Sequence, residues 1–151
     1  MSTIADVGAD VLAGLVDRAD DAVIVADASG AIRYWNAAAE RMFGYSRDEA
    51  LGRSLDLIVP EKLRARHWEG YTRVMATGRT AYAGRMLAVP ASRADGSRIS
   101  IEFTVTLVHD AAGAVCAIGA ILRDVTARWE QQRALQRELQ ELKRRVAELE
   151  G

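Results

Sequence analysis

Three short runs of turn-forming residues govern what this chain can become: Ala28-Ser29-Gly30, Ala94-Asp95-Gly96-Ser97 and Asp110-Ala111-Ala112-Gly113. Each interrupts two apolar stretches, and a chain that reverses so tightly between extended segments pairs them antiparallel. The first turn separates Asp21–Asp27 from Ala31–Trp35. The second separates a long strand, Ala81–Ser92, from Arg98–Val108, and the third leads on to Ala114–Val125. In Arg98–Val108 the residues Ile99, Ile101, Phe103, Val105 and Leu107 alternate, so one face of that strand is apolar. Ala114–Val125 is mostly apolar on both faces, which predicts a central strand.

Helix signals fill the gap between the second and third strands. Asn36 suits an N-cap for Ala37–Phe43, and Gly44 ends that helix. Ser46-Arg47-Asp48-Glu49 reads as a capping box opening a second short helix, which Gly52 stops. Pro60 and Glu61 start a longer helix that runs to Thr77, with Gly78 past its end. Its apolar face carries Leu63, Tyr71, Val74 and Met75, and His67 lies between the first two at spacings of four. Two strands, a run of helices and three more strands predict an α+β fold: a five-stranded antiparallel sheet with short helices on one face.

Both ends differ from this middle. Residues 1–18 place Ile4, Val7, Val11, Leu12, Leu15 and Val16 at helical spacing, predicting an amphipathic helix whose stripe lies on a core or a partner. Residues 19–125 form the α+β domain. Residues 126–151 are rich in Glu, Gln, Arg and Leu, and Leu135, Leu139, Leu142, Val146 and Leu149 follow a heptad with Leu139 and Val146 at a and the other three at d. The pairs from g to the next e, Glu138 with Lys143 and Arg145 with Glu150, are opposite in sign, as a parallel homodimeric coil requires. The alternative is a solvated helix packed back on its own domain, since fewer than four heptads are marginal alone. The junction Leu122–Arg128 is short. Thr126 is placed to cap the last helix and Asp124 to favour its positive end, so strand motion would pass to the coil.

Length and charge narrow the function. A chain of 151 residues is about one domain, and 20 basic against 21 acidic residues leave a net charge of −1. No global field draws in nucleic acid or an anionic membrane, and the basic run Lys143-Arg144-Arg145 belongs to the coil pattern. The lone Cys116 rules out an intrachain disulfide. The first residues lack a signal-peptide pattern and no apolar run is long enough to span a bilayer, so the expectation is a cytoplasmic protein without a membrane partner. The nucleotide-binding loop, the Gly-x-Ser-x-Gly elbow and the His-Glu-x-x-His zinc motif are all missing, so no enzymatic activity is expected.

The stretch from about Val16 to Arg128 resembles a PAS domain, a sensory module. The likeness rests on Asp21–Asp27, Gly30, Trp35–Glu40, Phe43–Arg53, Arg93–Ser97 and Leu122-Arg123-Asp124-Val125-Thr126. The helix in Leu57–Tyr71 is similar to that of FixL-type oxygen sensors, whose PAS domain holds haem b. That resemblance implies that His67 is the axial ligand of haem iron, a role suited to a neutral imidazole on an apolar face. It implies that an arginine on the next strand contacts haem propionate or bound gas. The nearest is Arg85, displaced by two residues counting back from Asp95-Gly96. Phe103 and Val105 align with apolar residues that crowd the gas-binding face, and Leu63 and Tyr71 share the face of His67. Nothing after Thr126 resembles a kinase or cyclase domain, so output is expected through partners if the chain is whole, or through an effector that lies beyond it if it is part of a longer protein.

The residues also admit plainer readings. His67 packs as a core histidine, Arg85 pairs with an acid or faces solvent, His109 is solvated, and Cys116 is a small buried hydrophobe. Gly52-Arg53-Ser54-Leu55-Asp56 holds no cysteine where light-sensing flavin PAS domains carry one, and Cys116 is misplaced for a p-coumarate thioester. Two further functions therefore stand beside the haem sensor. One is a cofactor-free dimerisation and interaction module whose pocket is filled by Trp68, Tyr71, Met86 and Phe103. The other is a sensor of a small apolar metabolite.

Overall fold

The computed structural model describes residues 7–80 and 86–151. The order of elements is α1 (Ala9–Arg18), β1 (Ala22–Asp27), β2 (Ile32–Trp35), α2 (Ala37–Phe43), α3 (Arg47–Ala50), a 3-10 turn (Leu55–Leu57), α4 (Glu61–Thr77), β3 (Leu87–Ser92), β4 (Arg98–His109), β5 (Val115–Asp124) and α5 (Thr126–Glu150). All pairings in the sheet are antiparallel, and its order is β2-β1-β5-β4-β3. The three turns close the hairpins as their residues dictate, with Gly30, Gly96 and Gly113 at positive φ. The apolar strand β5 is central, as expected.

The helices lie on one face of the sheet. Alternation directs Ala22, Ile24, Ile99, Ile101 and Leu122 to that face, where they join Trp35, Phe43, Ala38, Ala39, Ala50 and Ile58 in the core. The Trp35 ring tilts against Phe43 at 5.5 Å, and its indole N–H donates to the carbonyl of Tyr45 at 3.0 Å. The side chain of Asn36 is fully buried and fully used. Its Oδ1 accepts from the N–H groups of Val23 (2.9 Å) and Ala39 (3.0 Å), and its Nδ2 donates to the carbonyls of Val16 (2.9 Å) and Asp21 (3.0 Å). The expected N-cap thus also fastens α1 to β1.

Several expectations change. The strand expected over Ala81–Ser92 is described only from Leu87; Met86 lies outside it, and residues 81–85 fall outside the described residues, as does Ile4. Cys116 is exposed rather than buried: it lies at the register shift where the β4–β5 ladder passes from Val108–Ala117 to His109–Val115, beyond the covered part of the sheet, and its thiol donates to the carbonyl of Val108 at 3.4 Å. The apolar stripe of α1 lies on no core of its own chain: α1 buries none of its residues. Thr126 does not cap α5: Val125 stands at the N-cap without a side-chain cap bond. The Asp124 carboxylate accepts from the Thr126 N–H (3.0 Å) and hydroxyl (2.6 Å), and Thr126 Oγ1 accepts from the Ser100 N–H at 2.9 Å. The Val125 N–H donates to the Ser100 carbonyl at 2.8 Å, and Arg128 pairs with Glu102, so the root of α5 is stitched to β4. Opposite Ser100, the edge strand β3 carries Pro90.

Replacing Asn36 by Ala strands two buried N–H groups and two carbonyls. We expect Asn36→Ala to cost about 3 kcal/mol in urea unfolding, since unsatisfied buried polar groups cost about 1–3 kcal/mol each and water reaches some of them. A loss below about 1 kcal/mol would refute the central role of this side chain.

Candidate functional site

The inner face of the sheet is unevenly covered. Ile99, Ile101 and Leu122 are buried, whereas Phe103, Val105, Leu107 and Ile118 on the same face are only half-buried. Among the described residues, α4 packs closely along no strand. It is instead mounted from its ends and sides. Arg64 donates to the carbonyls of Val59 (3.1 Å) and Asp56 (3.2 Å), and the indole N–H of Trp68 donates to Asp56 Oδ1 at 2.7 Å. The Tyr71 hydroxyl donates to the backbone carbonyl of Asp27 at 2.5 Å. The β1–β2 turn that receives the Tyr71 bond is stiffened by the Asp27 carboxylate, which accepts from the Ser29 hydroxyl (2.6 Å), the N–H groups of Ser29 and Ala31, and Arg33 Nε (2.7 Å). Those bonds, that of Ser29 first and Arg33 next, hold the carboxyl far below the usual range.

His67 sits between Trp68 and Tyr71, with ring centroids 4.7 Å and 5.8 Å away. Its Nδ1 is buried and has no hydrogen-bond partner. Burial lowers the pKa of the ring, opposed in part by the charge of Asp56, so the imidazole is neutral near pH 7. Burial, followed by the charge of Asp27, pushes the Tyr71 hydroxyl up to about 12, so it stays a donor.

His67 and Tyr71 therefore meet as expected, and Leu63 is half-buried on the same helix. Phe103 packs against the core beside Leu122, and Val105 pairs with Ala120. Arg85 lies outside the described residues. Of the side chains expected to fill a closed pocket, Trp68 and Tyr71 pack against His67 while their polar tips bond the loops, Phe103 packs against the core, and Met86 is 57% exposed. Sequence reasoning missed Asp56, Asp27 and Gly30 as the mount of α4. Gly30 sits at φ +83°, and a Cβ there would come within 2.1 Å of the Trp68 ring, so the glycine makes room for the indole as well as the turn. The Ser-Gly turn signal was visible, but the aromatic ring it serves is remote in sequence.

Among the described residues no three His, Cys, Asp or Glu side chains cluster to hold a bare metal ion. A single neutral imidazole with an unpartnered nitrogen suits a metal that arrives with its other ligands already in place, and on that ground His67 would fit as the residue holding a haem. No described helix is long and apolar enough to cross a membrane.

Residues 16–130 match the PAS fold family. The chain belongs to that family. It is 30% identical over 125 residues to the Sensor protein FixL of Bradyrhizobium diazoefficiens, covering 83% of this chain and 24% of that protein. It is 30% identical over 100 residues to the Oxygen sensor protein DosP of Escherichia coli, covering 66% of this chain and 12% of that protein. The chain thus spans about a quarter or less of the length of these curated relatives. The crystal structure of a PAS domain from Colwellia psychrerythraea superposes with a TM-score of 0.68 at 21% identity, covering 78% of this chain and 97% of that one.

Two outcomes follow. Gly30→Ala forces the Trp68 ring aside and strains the turn, and is expected to cost about 2 kcal/mol in urea unfolding; a neutral result would show that Trp68 has other room. An unfolded histidine takes up a proton near pH 6.5, whereas folded His67 resists it. The folded state therefore binds fewer protons and loses stability as pH falls from about 7 to 5. Melting temperature should fall across that window in the wild type and fall less steeply in His67→Leu. Parallel slopes would rule the effect out.

Proposed function

We propose that this PAS domain is the ligand-binding part of a dimeric cytoplasmic sensor that holds haem b through His67 and responds to a diatomic gas. The observation that carries the reading is the partner-free, buried nitrogen of a neutral His67 on a helix standing off a half-covered apolar sheet face. Bound haem supplies an iron with an open position for a small gas molecule. The chain supplies the rest. Burial keeps His67 unprotonated and available as a donor. Leu63 and Tyr71 flank it on α4. Phe103 and Val105 offer apolar surface that keeps water out, and Arg85 is the candidate cation for the haem propionates. The similarity to two proteins named as sensors, one of them for oxygen, supports this choice.

The same reading gives a route out of the pocket. Phe103 and Val105 lie on β4, which pairs with β5, and the Asp124–Thr126–Ser100 contacts fix the start of α5 to both strands. A displaced sheet therefore moves the helix. Dimerisation through α5 is supported by its charges: Arg144 pairs with Glu141 and Glu148 on the outer side, and of the four charges flanking the apolar seam only Arg145 pairs within the helix, with Glu141 at 3.6 Å, while Glu138, Lys143 and Glu150 make no ion pair among the described residues. Those are the charges a parallel partner would meet. No catalytic step belongs to this reading. A filled, cofactor-free interaction module is the less favoured alternative, because Met86 is exposed and the buried His67 Nδ1 has no hydrogen-bond partner.

The test is the absorption spectrum of protein produced with ample haem, wild type beside His67→Ala. A Soret band in the wild type that is lost or strongly shifted in the variant is expected. No band in either protein after haem reconstitution would overturn the haem assignment and favour the interaction module.

A further inference from the structure

We infer that the cleft between the β3–β4 hairpin and the root of α5 is a second binding site, and that it takes a small apolar carboxylate. It shares no residue with the surroundings of His67, so the inference stands apart from the haem reading. The cleft holds about 270 Å³ and is lined by Ala88, Val89, Pro90 and Ile101 on the sheet side and by Trp129 and Arg133 on the helix side. Both walls are held in place. Val89 pairs with Ile101 and Pro90 with Ser100 across the hairpin. The first turn of α5 is fastened to β4 by the Ser100 bonds to Val125 and Thr126 and by the Arg128–Glu102 pair. A cleft between fixed elements is preformed, as small-molecule sites are.

The chemistry of the walls names the occupant. The aliphatic side chains and the indole give mostly apolar surface, and the one charge among them is that of Arg133. Its guanidinium lies over the Trp129 ring, 6.0 Å from the centroid, and makes no ion pair among the described residues. The acids at the root of α5 are committed elsewhere: Glu102 pairs with Arg128, and Asp124 accepts from Thr126. The indoles differ in the same way. Trp35 donates its N–H to the Tyr45 carbonyl and Trp68 donates to Asp56, whereas the N–H of Trp129 has no acceptor among the described residues. A cation and an indole N–H, both unspent, beside an apolar wall suit a carboxylate that carries a hydrocarbon body. The volume falls below the roughly 300–1,000 Å³ common for drug-sized ligands, which favours a compact acid over a peptide. Such an occupant touches β3, β4 and α5 at once, and so braces the helix against the sheet.

The experiment titrates the isotope-labelled full chain with phenylacetate and, separately, with its uncharged amide. The three indole N–H signals are followed by NMR, and Trp129→Phe identifies the one that matters. That signal is expected to shift along a saturating curve while those of Trp35 and Trp68 stay in place. Replacing the acid by the amide, or Arg133→Gln, should each weaken binding by about tenfold. Arg137→Gln, one turn further along α5, should leave it unchanged; both arginines are exposed, so neither substitution threatens folding. A still Trp129 signal, or a shift confined to Trp68, would overturn the site. Equal affinity for acid and amide, or an unchanged dissociation constant in Arg133→Gln, would overturn the carboxylate. If Arg137→Gln weakens binding as much as Arg133→Gln, the attraction is general charge along α5 and the inference fails.

Discussion

The buried amide of Asn36 is the constraint on which the rest of the structure depends. It lies where β2 ends and α2 begins, and it satisfies groups from the end of α1, the approach to β1, the body of β1 and the first turn of α2. An amide offers a matched set of two donors and an acceptor oxygen with two lone pairs, and every one is used here. A hydroxyl or a carboxylate would leave at least one buried group unmet. The angle between the sheet and its first helix, and the seat of α1, both follow from this one side chain. Trp35 and Phe43 then pack on either side of it in chain order.

The site follows from how the remaining helix is supported. Helices α2 and α3 lie close on one half of the sheet face, and α4 is suspended from the β1–β2 turn and the 3-10 segment through Tyr71, Trp68 and Arg64. A helix held by polar side chains at fixed points covers the sheet less evenly than one packed along its length. Phe103, Val105, Leu107 and Ile118 on the inner face stay half-buried. The chemistry of His67 comes from the same arrangement, because desolvation without a hydrogen-bond partner for Nδ1 leaves the ring neutral and its nitrogen unassigned.

Much of this was legible in the sequence where the signal is local. The turns at Gly30, Gly96 and Gly113, the cap at Asn36, the span of α4 from Glu61 to Thr77 and the central place of β5 each follow from residues near one another in the chain. What failed was non-local. Alternation in β5 puts Cys116 on the face of Ile118 and Leu122, but the register shift at Val108 and His109 that breaks the ladder around it depends on the partner strand. Helical spacing in α1 reveals a stripe without saying what covers it. Thr126 reads as a cap from its place before the helix, but its hydroxyl is taken by Asp124 and by Ser100, on another strand, which the local sequence does not reveal. His67 and Tyr71 were found by their shared helix face, while the Gly30 and Asp56 supports depend on contacts between separate segments.

Pro90 shows how such a domain stays soluble. Ser100 spends both its backbone groups on Val125 and Thr126, so its partner Pro90 turns its own backbone away from β4 toward the open edge of the sheet. That edge position lacks the N–H that an incoming strand would need. Sheet extension by a stranger, the first step toward fibrous aggregation, is blocked there by a ring nitrogen. Crowded copies of this domain are thereby steered away from joining edge to edge along β3.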